Sequence, residues 1–438
     1  MTSSSIRSRI MSGFESYLNR QQPSSLVEFS EAKIAMASEA KSLPQIVQQY
    51  HFQKIIRPLW GKYDLAKPAI GDHPDFTDLA GTNNVEYCPI ATLFMDIESS
   101  TRLGVIYNPE EVFKIKNAFI ATAIEVIQSF DGHVHRIMGD AVMAFFGGLE
   151  VIPENAVLKA LNAAAMIQYI VKKAIIPKLN EAGFENQFGI RIGLDYGSQN
   201  EVLWSSYGFP GSNEVTATSF FVDSASKLQH AAPRNSVMIG QSLRDFISFP
   251  FELLSIKKTQ SGGQLTEEPY LLPNITDREK KPINYRQYIF NSLSYLDYSP
   301  LSPYDSDEFS SQTNFPSIMI SVHTASAKNG QLEDVYTHCG SFIAKEKWLC
   351  FEIKYTADAE LRMPLKVRFA VENHGEEANK DPNNGNHYTD IDIKTNASFR
   401  YGIKHWEHCC YRGLHYMTVS LYSQGAVKFV RKFGICIS

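Results

Sequence analysis

Residues 85–251 constrain the fold most, because their apolar pattern alternates between the period of a strand and that of a helix. Ile90–Ile97 is a short apolar run of strand length, bounded by Pro89 and by the polar Glu98, Ser99 and Ser100. A helix start follows: Asn108 can cap it, Pro109 suits its first position and Glu111 completes a capping box. Val112, Ile115, Phe119, Ala123, Val126 and Phe130 then keep helical spacing until Asp131 and Gly132 stop it. Residues 134–137 and 141–146 read as two strands joined by a tight turn at Met138, Gly139 and Asp140. The same reading predicts a helix over 154–173, strands over 189–195 and 201–205, a helix over Phe220–Ala231 and a strand over 236–239. The order β-α-β-β-α-β with additions predicts an α+β protein with a ferredoxin-like core.

The flanks differ in composition. Residues 1–84 read as a helical arm followed by a loop; 24–50 are rich in Ala, Glu, Lys and Gln with a break at Pro44, and 71–84 are polar. The core is expected over 85–254. Residues 255–315, dense in Pro, Ser, Asp, Lys and Tyr, read as a linker holding one helix over 285–295. Residues 316–438 carry short strands with frequent turns, for example 365–371 and 417–421, which predicts a separate all-β, sandwich-like domain.

The net charge of −5 and the absence of a long basic run argue against a nucleic-acid polymer as partner. No segment reaches the roughly 18 apolar residues of a membrane span. The best candidate, 160–176, is interrupted by Asn162, Gln168, Lys172 and Lys173 and reads as an amphipathic helix. The N-terminus lacks an apolar signal core, and Cys88, Cys339, Cys350, Cys409, Cys410 and Cys436 form no C-x-x-C pair. The expectation is a reduced, cytoplasmic chain without membrane insertion.

Two carboxylates carry the chemistry. Asp96 ends a buried strand and precedes a turn rich in hydroxyls; Asp140 sits in a hairpin turn. Neighbouring strands of one sheet could bring them together as oxygen ligands for magnesium or manganese. Two such ions can activate an attacking hydroxyl and stabilise a leaving phosphate. Ser99, Ser100, Thr101 and the N–H groups of their turn could meet phosphate oxygens. Taken singly, a Gly-Asp hairpin is ordinary turn chemistry and an Asp after a strand is often a helix cap.

Together these segments resemble a known family. Residues 94–101, Phe-Met-Asp-Ile-Glu-Ser-Ser-Thr, resemble the F-x-D-I-x-x-S-T segment of class III adenylate and guanylate cyclases. Residues 135–146 resemble their second metal segment, ending in G-D-A-V-M-A-x-F, and 190–197 resemble their R-I-G-I-x-x-G strand. The three occur in the family's order. The resemblance implies two divalent metals, Mg2+ or Mn2+, held by Asp96, Asp140 and the carbonyl of Ile97. It implies phosphate contact for Arg191, with a solvated strand-end cation as the alternative. It also implies a homodimer with sites at the interface. The family's V-N-L-A-x-R-L helix aligns with residues 222–228. Asp223 then stands where an Asn positions the ribose, and Lys227 where an Arg stabilises the transition state. Lysine keeps that charge but loses the planar fork. An i,i+4 surface ion pair is the alternative for these two. Arg136 stands where purine cyclases use a base-reading Lys, and Thr216 where they use a companion polar residue. A surface pairing of Arg136 with a carboxylate is the other reading.

The closer resemblance is to the pyrimidine cyclases of bacterial Pycsar antiphage defence, in the layout of arm, divergent cyclase core, tail and β-rich end. That end, around residues 369–375 and 411–416, resembles the C-terminal sensor domain shared by some cyclases and defence nucleotidyltransferases. The implied enzyme converts CTP or UTP to cyclic CMP or cyclic UMP and pyrophosphate, and its product switches on a separate effector. A purine cyclase, an inactive nucleotide-sensing module and a polymerase-like palm are the rivals; no G-G-D-E-F motif supports the last. His405, His408 and His415 near Cys409 and Cys410 suggest either a metal or, more simply, alternating strand residues.

Overall fold

The computed structural model describes residues 3–18, 50–66, 69–184, 188–261, 263–277, 279–302, 318–355, 361–393 and 402–438. The expected break at Pro44 and most of the segment 24–50 lie outside these residues. Helix α1 (Ser3–Leu18) buries Ile6, Ile10 and Phe14, spaced four apart so that they share one face. Helix α2 (Gln53–Leu59) follows. The arm lies on the core: buried Glu125 accepts hydrogen bonds from the backbone N–H groups of Phe52 (2.7 Å) and Gln53 (2.9 Å) at the start of α2, and from the hydroxyl of Tyr17.

The core then runs β1 (Val85–Tyr87), β2 (Ile90–Ile97), α3 (Ser100–Ile106), α4 (Pro109–Ser129), β3 (His133–Met138), β4 (Ala141–Gly147) and α5 (Pro153–Ile170). It continues through a π-turn to α6 (Ile176–Glu181), β5 (Ile190–Gly197), β6 (Leu203–Phe209), β7 (Ser212–Thr218), α7 (Phe220–Ala231), β8 (Ser236–Gly240) and α8 (Gln241–Phe246). Helix α4 starts with the full capping box of Asn108 and Glu111 and with Pro109 in its first turn. Strands β5-β2-β4-β3 give the ferredoxin-like order, and β8 adds to β5 in parallel. On one face Leu93, Met95, Ile192 and Leu194 pack with buried residues of α4 and α5. On the other face lie α7 and the hairpin of β6 and β7, packed around Phe94, Phe145, Trp204 and Ala225.

The stretch read as a linker departs from expectation. It forms β9 (Leu254–Ser255), β10 (Lys257–Ser261), β11 (Gln264–Glu268), β12 (Tyr270–Thr276), β13 (Pro282–Phe290) and α9 (Ser292–Leu296). A helix over 285–295 does not form. Residues up to Phe290 are instead extended against β8, with Gln287 opposite Gly240 and Phe290 opposite Val237. The open edge of β8 supplies hydrogen-bond partners that outweigh local helix preference, and Tyr285 and Gln287 turn inward around exposed Arg286.

The C-terminal part holds β14 (Ile318–Ala325), β15 (Phe342–Ile343), β16 (Trp348–Tyr355), β17 (Leu365–Glu372), β18 (His387–Ile393), β19 (Ile403–His408), β20 (Gly413–Ser423) and β21 (Ala426–Ile437). They form two sheets, β14-β16-β19 and β15-β21-β20-β17-β18, around a core that includes Phe351, Val367, Phe369, Val419 and Phe433. Among the described residues no helix is long and apolar enough to cross a membrane.

Candidate active site

Strand pairing brings the two carboxylates to one end of the central strands. Asp96 lies opposite Arg191 on β5, and Met95 lies opposite Val142 on β4, two residues after Asp140. Gly139 takes a positive φ of 67°, which a two-residue hairpin turn needs at its first position. Arg191 donates to Asp96 Oδ2 at 2.7 Å, and the Gln229 carboxamide of α7 adds a contact at 3.3 Å. Lys116 Nζ lies 3.8 Å from Asp140 Oδ1. Burial pushes the Asp96 carboxyl up, the Arg191 hydrogen bond pulls it down, and the adjoining Asp140 carboxyl raises it again. Asp140 Oδ2 and Arg191 Nε are buried without hydrogen-bond partners among the described residues.

These residues fit a hard divalent ion. An orphaned buried carboxylate oxygen and a second carboxyl disfavoured by its neighbour both gain from a cation. The donors are oxygens only, with the main chain of Ile97 next in line. Among the described residues no group of three or more His, Cys, Asp or Glu is arranged to hold a metal, so the set rests on two carboxylates.

The turn after Asp96 is tight: Ser99 adopts φ 59° before α3. Ser99 and Thr101 are exposed, whereas Ser100 is buried. None of the three hydroxyls is hydrogen-bonded among the described residues. Arg191 is no solvated cation, since Asp96 holds it.

Helix α7 approaches because Gly193 has no side chain: a Cβ there would lie 2.2 Å from the backbone N of Gln229. Gln229 faces Asp96, and Lys227, two positions earlier, points roughly 200° away. Asp223 and Lys227 are both exposed and form no ion pair among the described residues, contrary to the surface-pair alternative. Arg136 meets Glu214 of β7, donating through Nε at 2.7 Å and through Nη2. Pairing with a carboxylate therefore holds, although the partner lies on a second hairpin. Thr216 shares a face of β7 with Glu214, so strand packing brings Arg136 and Thr216 to one region.

Comparison with known proteins bears on the same residues. Residues 83–273 match the adenylate and guanylate cyclase catalytic domain, and residues 302–438 match the adenylyl/guanylyl and SMODS C-terminal sensor domain. A cytidylate cyclase of Escherichia coli is 37% identical over 428 residues, covering 95% of this chain and 86% of that protein. A cytidylate cyclase of Staphylococcus aureus is 35% identical over 372 residues, covering 84% and 82%. This chain belongs to the cytidylate cyclase family. Among solved structures, the adenylyl cyclase CyaB from P. aeruginosa aligns with a TM-score of 0.38 and 16% identity over 47% of this chain and 95% of that one.

Sequence reasoning missed several residues of the cyclase. Gln229 was not findable, because its contact with Asp96 depends on α7 crossing β5 at Gly193. Nor was Glu214, because β7 is polar and has no strand signature of its own. Asp195 is fully buried and accepts from Tyr285 Oη (2.7 Å) and Tyr196 N (3.0 Å), a role its motif did not reveal. In the sandwich the histidines have local partners. His405 stacks on Phe369 with centroids 4.2 Å apart, and His415 bridges the His374 N–H and the Tyr411 carbonyl.

Proposed function

We propose that this nucleotidyl cyclase acts in the cytoplasm as a homodimer that converts CTP to 3′,5′-cyclic CMP and pyrophosphate, with UTP as the alternative substrate. The convergence of Asp96 and Asp140 at one end of the central strands, in a chain whose relatives are cytidylate cyclases, carries the reading. Asp96, Asp140 and the Ile97 carbonyl would hold two divalent ions, magnesium or manganese. When bound, such ions neutralise triphosphate charge and make the 3′-hydroxyl a better nucleophile. The O3′–Pα bond forms, the bond from Pα to the bridging oxygen of pyrophosphate breaks, and the 3′-hydroxyl proton leaves to solvent. Ser99, Ser100, Thr101 and Arg191 border the triphosphate in this reading, with Arg191 also fixing the orientation of Asp96.

Asp223 and Lys227 are assigned to the second subunit's nucleotide, Asp223 at the ribose and Lys227 at the charge developing on the phosphorus. Their outward direction on α7, while Gln229 serves the carboxylates of its own subunit, supports action in trans. Exposed Ile137 and Met138 on the β3–β4 hairpin, Tyr207 and Phe209 on β6 and Phe220 on α7 offer apolar surface nearby. Arg136 and Thr216 are assigned to the base. Glu214 neutralises Arg136 and leaves Nη1 to donate to a pyrimidine carbonyl, so the arginine reads a neutral ring and not a phosphate. The product is proposed as an antiviral messenger for a separate effector.

The test is a competition assay with equal CTP, UTP, ATP and GTP and manganese, on wild type and Arg136→Ala, with products identified by mass. Cyclic CMP is the expected main product. A wild type preferring ATP or GTP overturns the pyrimidine reading, and an unchanged base preference in Arg136→Ala removes that residue from base selection.

A further inference from the structure

A cavity in the C-terminal part has no role in the mechanism. It opens between the two sheets of the C-terminal sandwich and has a volume of about 290 Å³. That is the size at which a pocket holds a small ring system. Its walls are apolar, including Phe351, Met417 and Ile435. Facing sheets stand about 10 Å apart, which favours a flat occupant.

The polar groups at its mouth define the chemistry. Glu407 lines the cavity and is 18% exposed. His405 donates to its Oε1 at 2.5 Å, and His387 approaches Oε2 at 3.2 Å. Burial alone would raise the Glu407 carboxyl, but the two imidazoles outweigh it and hold the carboxyl below its ordinary range. Two carboxylate oxygens offer about four acceptor sites, so these contacts leave capacity for further donors. His415 has none to give, since one ring nitrogen accepts from His374 N and the other donates to the Tyr411 carbonyl. Among the described residues no lysine or arginine lines the cavity, and its histidines are engaged, His387 with Glu407, His408 with Glu346 and Cys410, and His415 with the main chain, so a phosphate would meet the Glu407 charge without a free cation opposite it.

We propose that this cavity is a binding site for a small, flat heteroaromatic molecule bearing N–H donors, held between the apolar walls with its donor edge on Glu407. The Glu407 charge disfavours a phosphorylated occupant, which sets this site apart from the substrate and the product of the catalytic site. The site lies beyond the catalytic reading and stands independently of it.

The probe is 2-aminobenzimidazole, a bicycle with an amidine-like donor edge, added to the full-length protein and followed by ligand-observed NMR. Quinoline, a similar bicycle with only an acceptor nitrogen, is the control. Wild type should bind the probe at least about tenfold more tightly than quinoline, and Glu407→Gln should lose about tenfold, the value of a hydrogen bond to a charged group. Cys410→Trp, at an exposed position on the rim, should fill the mouth and abolish binding without disturbing the core. The proposal is overturned if wild type shows no binding at millimolar probe, if quinoline binds equally well, or if affinity survives in folded Cys410→Trp. Displacement of the probe by cyclic CMP would equally overturn it, because either the probe would then occupy the catalytic site or the cavity would accept a phosphorylated nucleotide.

Discussion

Asp195 has no exposed surface, and burial pushes its carboxyl up to about 7 despite hydrogen bonds from Tyr285 and the Tyr196 N–H. A carboxyl with a raised folded-state pKa keeps a proton that the unfolded chain releases at its ordinary value of 3.8. Its contribution to stability is full below that value and falls as pH rises towards about 7. Thermal melts should therefore show this loss between about pH 4 and pH 7. Asp195→Asn, which cannot ionise, should give a flatter profile, and a parallel loss in both proteins would contradict the assignment. At the other carboxylate pair the expectation concerns turnover. Asp96→Asn or Asp140→Asn should each cut product formation by about a hundredfold to a thousandfold or more, with unchanged circular dichroism. Near-normal product formation by both variants would remove the metal assignment.

Helix α7 shows how an element can serve two sites. The turn between Lys227 and Gln229 sends one residue outward and the other to Asp96. Mixing Asp96→Asn subunits with Lys227→Ala subunits should restore roughly a quarter of wild-type turnover, the statistical yield of one intact site in half of the dimers of a symmetric pair. Absence of any recovery, with mixed dimers verified by mass, would place Lys227 in its own subunit's site or outside catalysis. Elements of this kind were legible in the sequence where period and punctuation agreed. Strand β2 and helix α7 follow their predicted bounds, and the Asn108 cap is where the sequence put it. Asp96 and Asp140 were legible for the same reason, as a strand end and a Gly-Asp turn. Elements whose form depends on a distant partner were not. Strand β7 is polar and follows from pairing with β6, and β13 follows from the edge of β8. Glu214 and Tyr285 reside on those two strands, so their contacts with Arg136 and Asp195 were hidden with them.

At the scale of the molecule, the sandwich and the catalytic core share an interior. Buried Asn162 of α5 donates to the Cys339 carbonyl at 2.8 Å and accepts from Tyr295 Oη at 2.7 Å. Leu414, Tyr416 and Cys436 belong to the same apolar cluster as the residues of α4 and α5. Asn162→Ala should cost about 1–3 kcal/mol by stranding the buried Tyr295 hydroxyl. Calorimetry of the wild type should show one cooperative transition spanning both parts; two resolved transitions would contradict a shared interior. Strand β13 carries a related consequence for how such chains can be recombined. The match to the catalytic family stops at residue 273, yet the sheet that bears Asp96 is completed by Pro282–Phe290. A graft made at the earlier point would expose the edge of β8 and leave Asp195 without its tyrosine. A transplanted catalytic core must carry Pro282–Phe290 and, because Tyr295 closes on Asn162, the chain at least through Leu296, a length that its family match does not include.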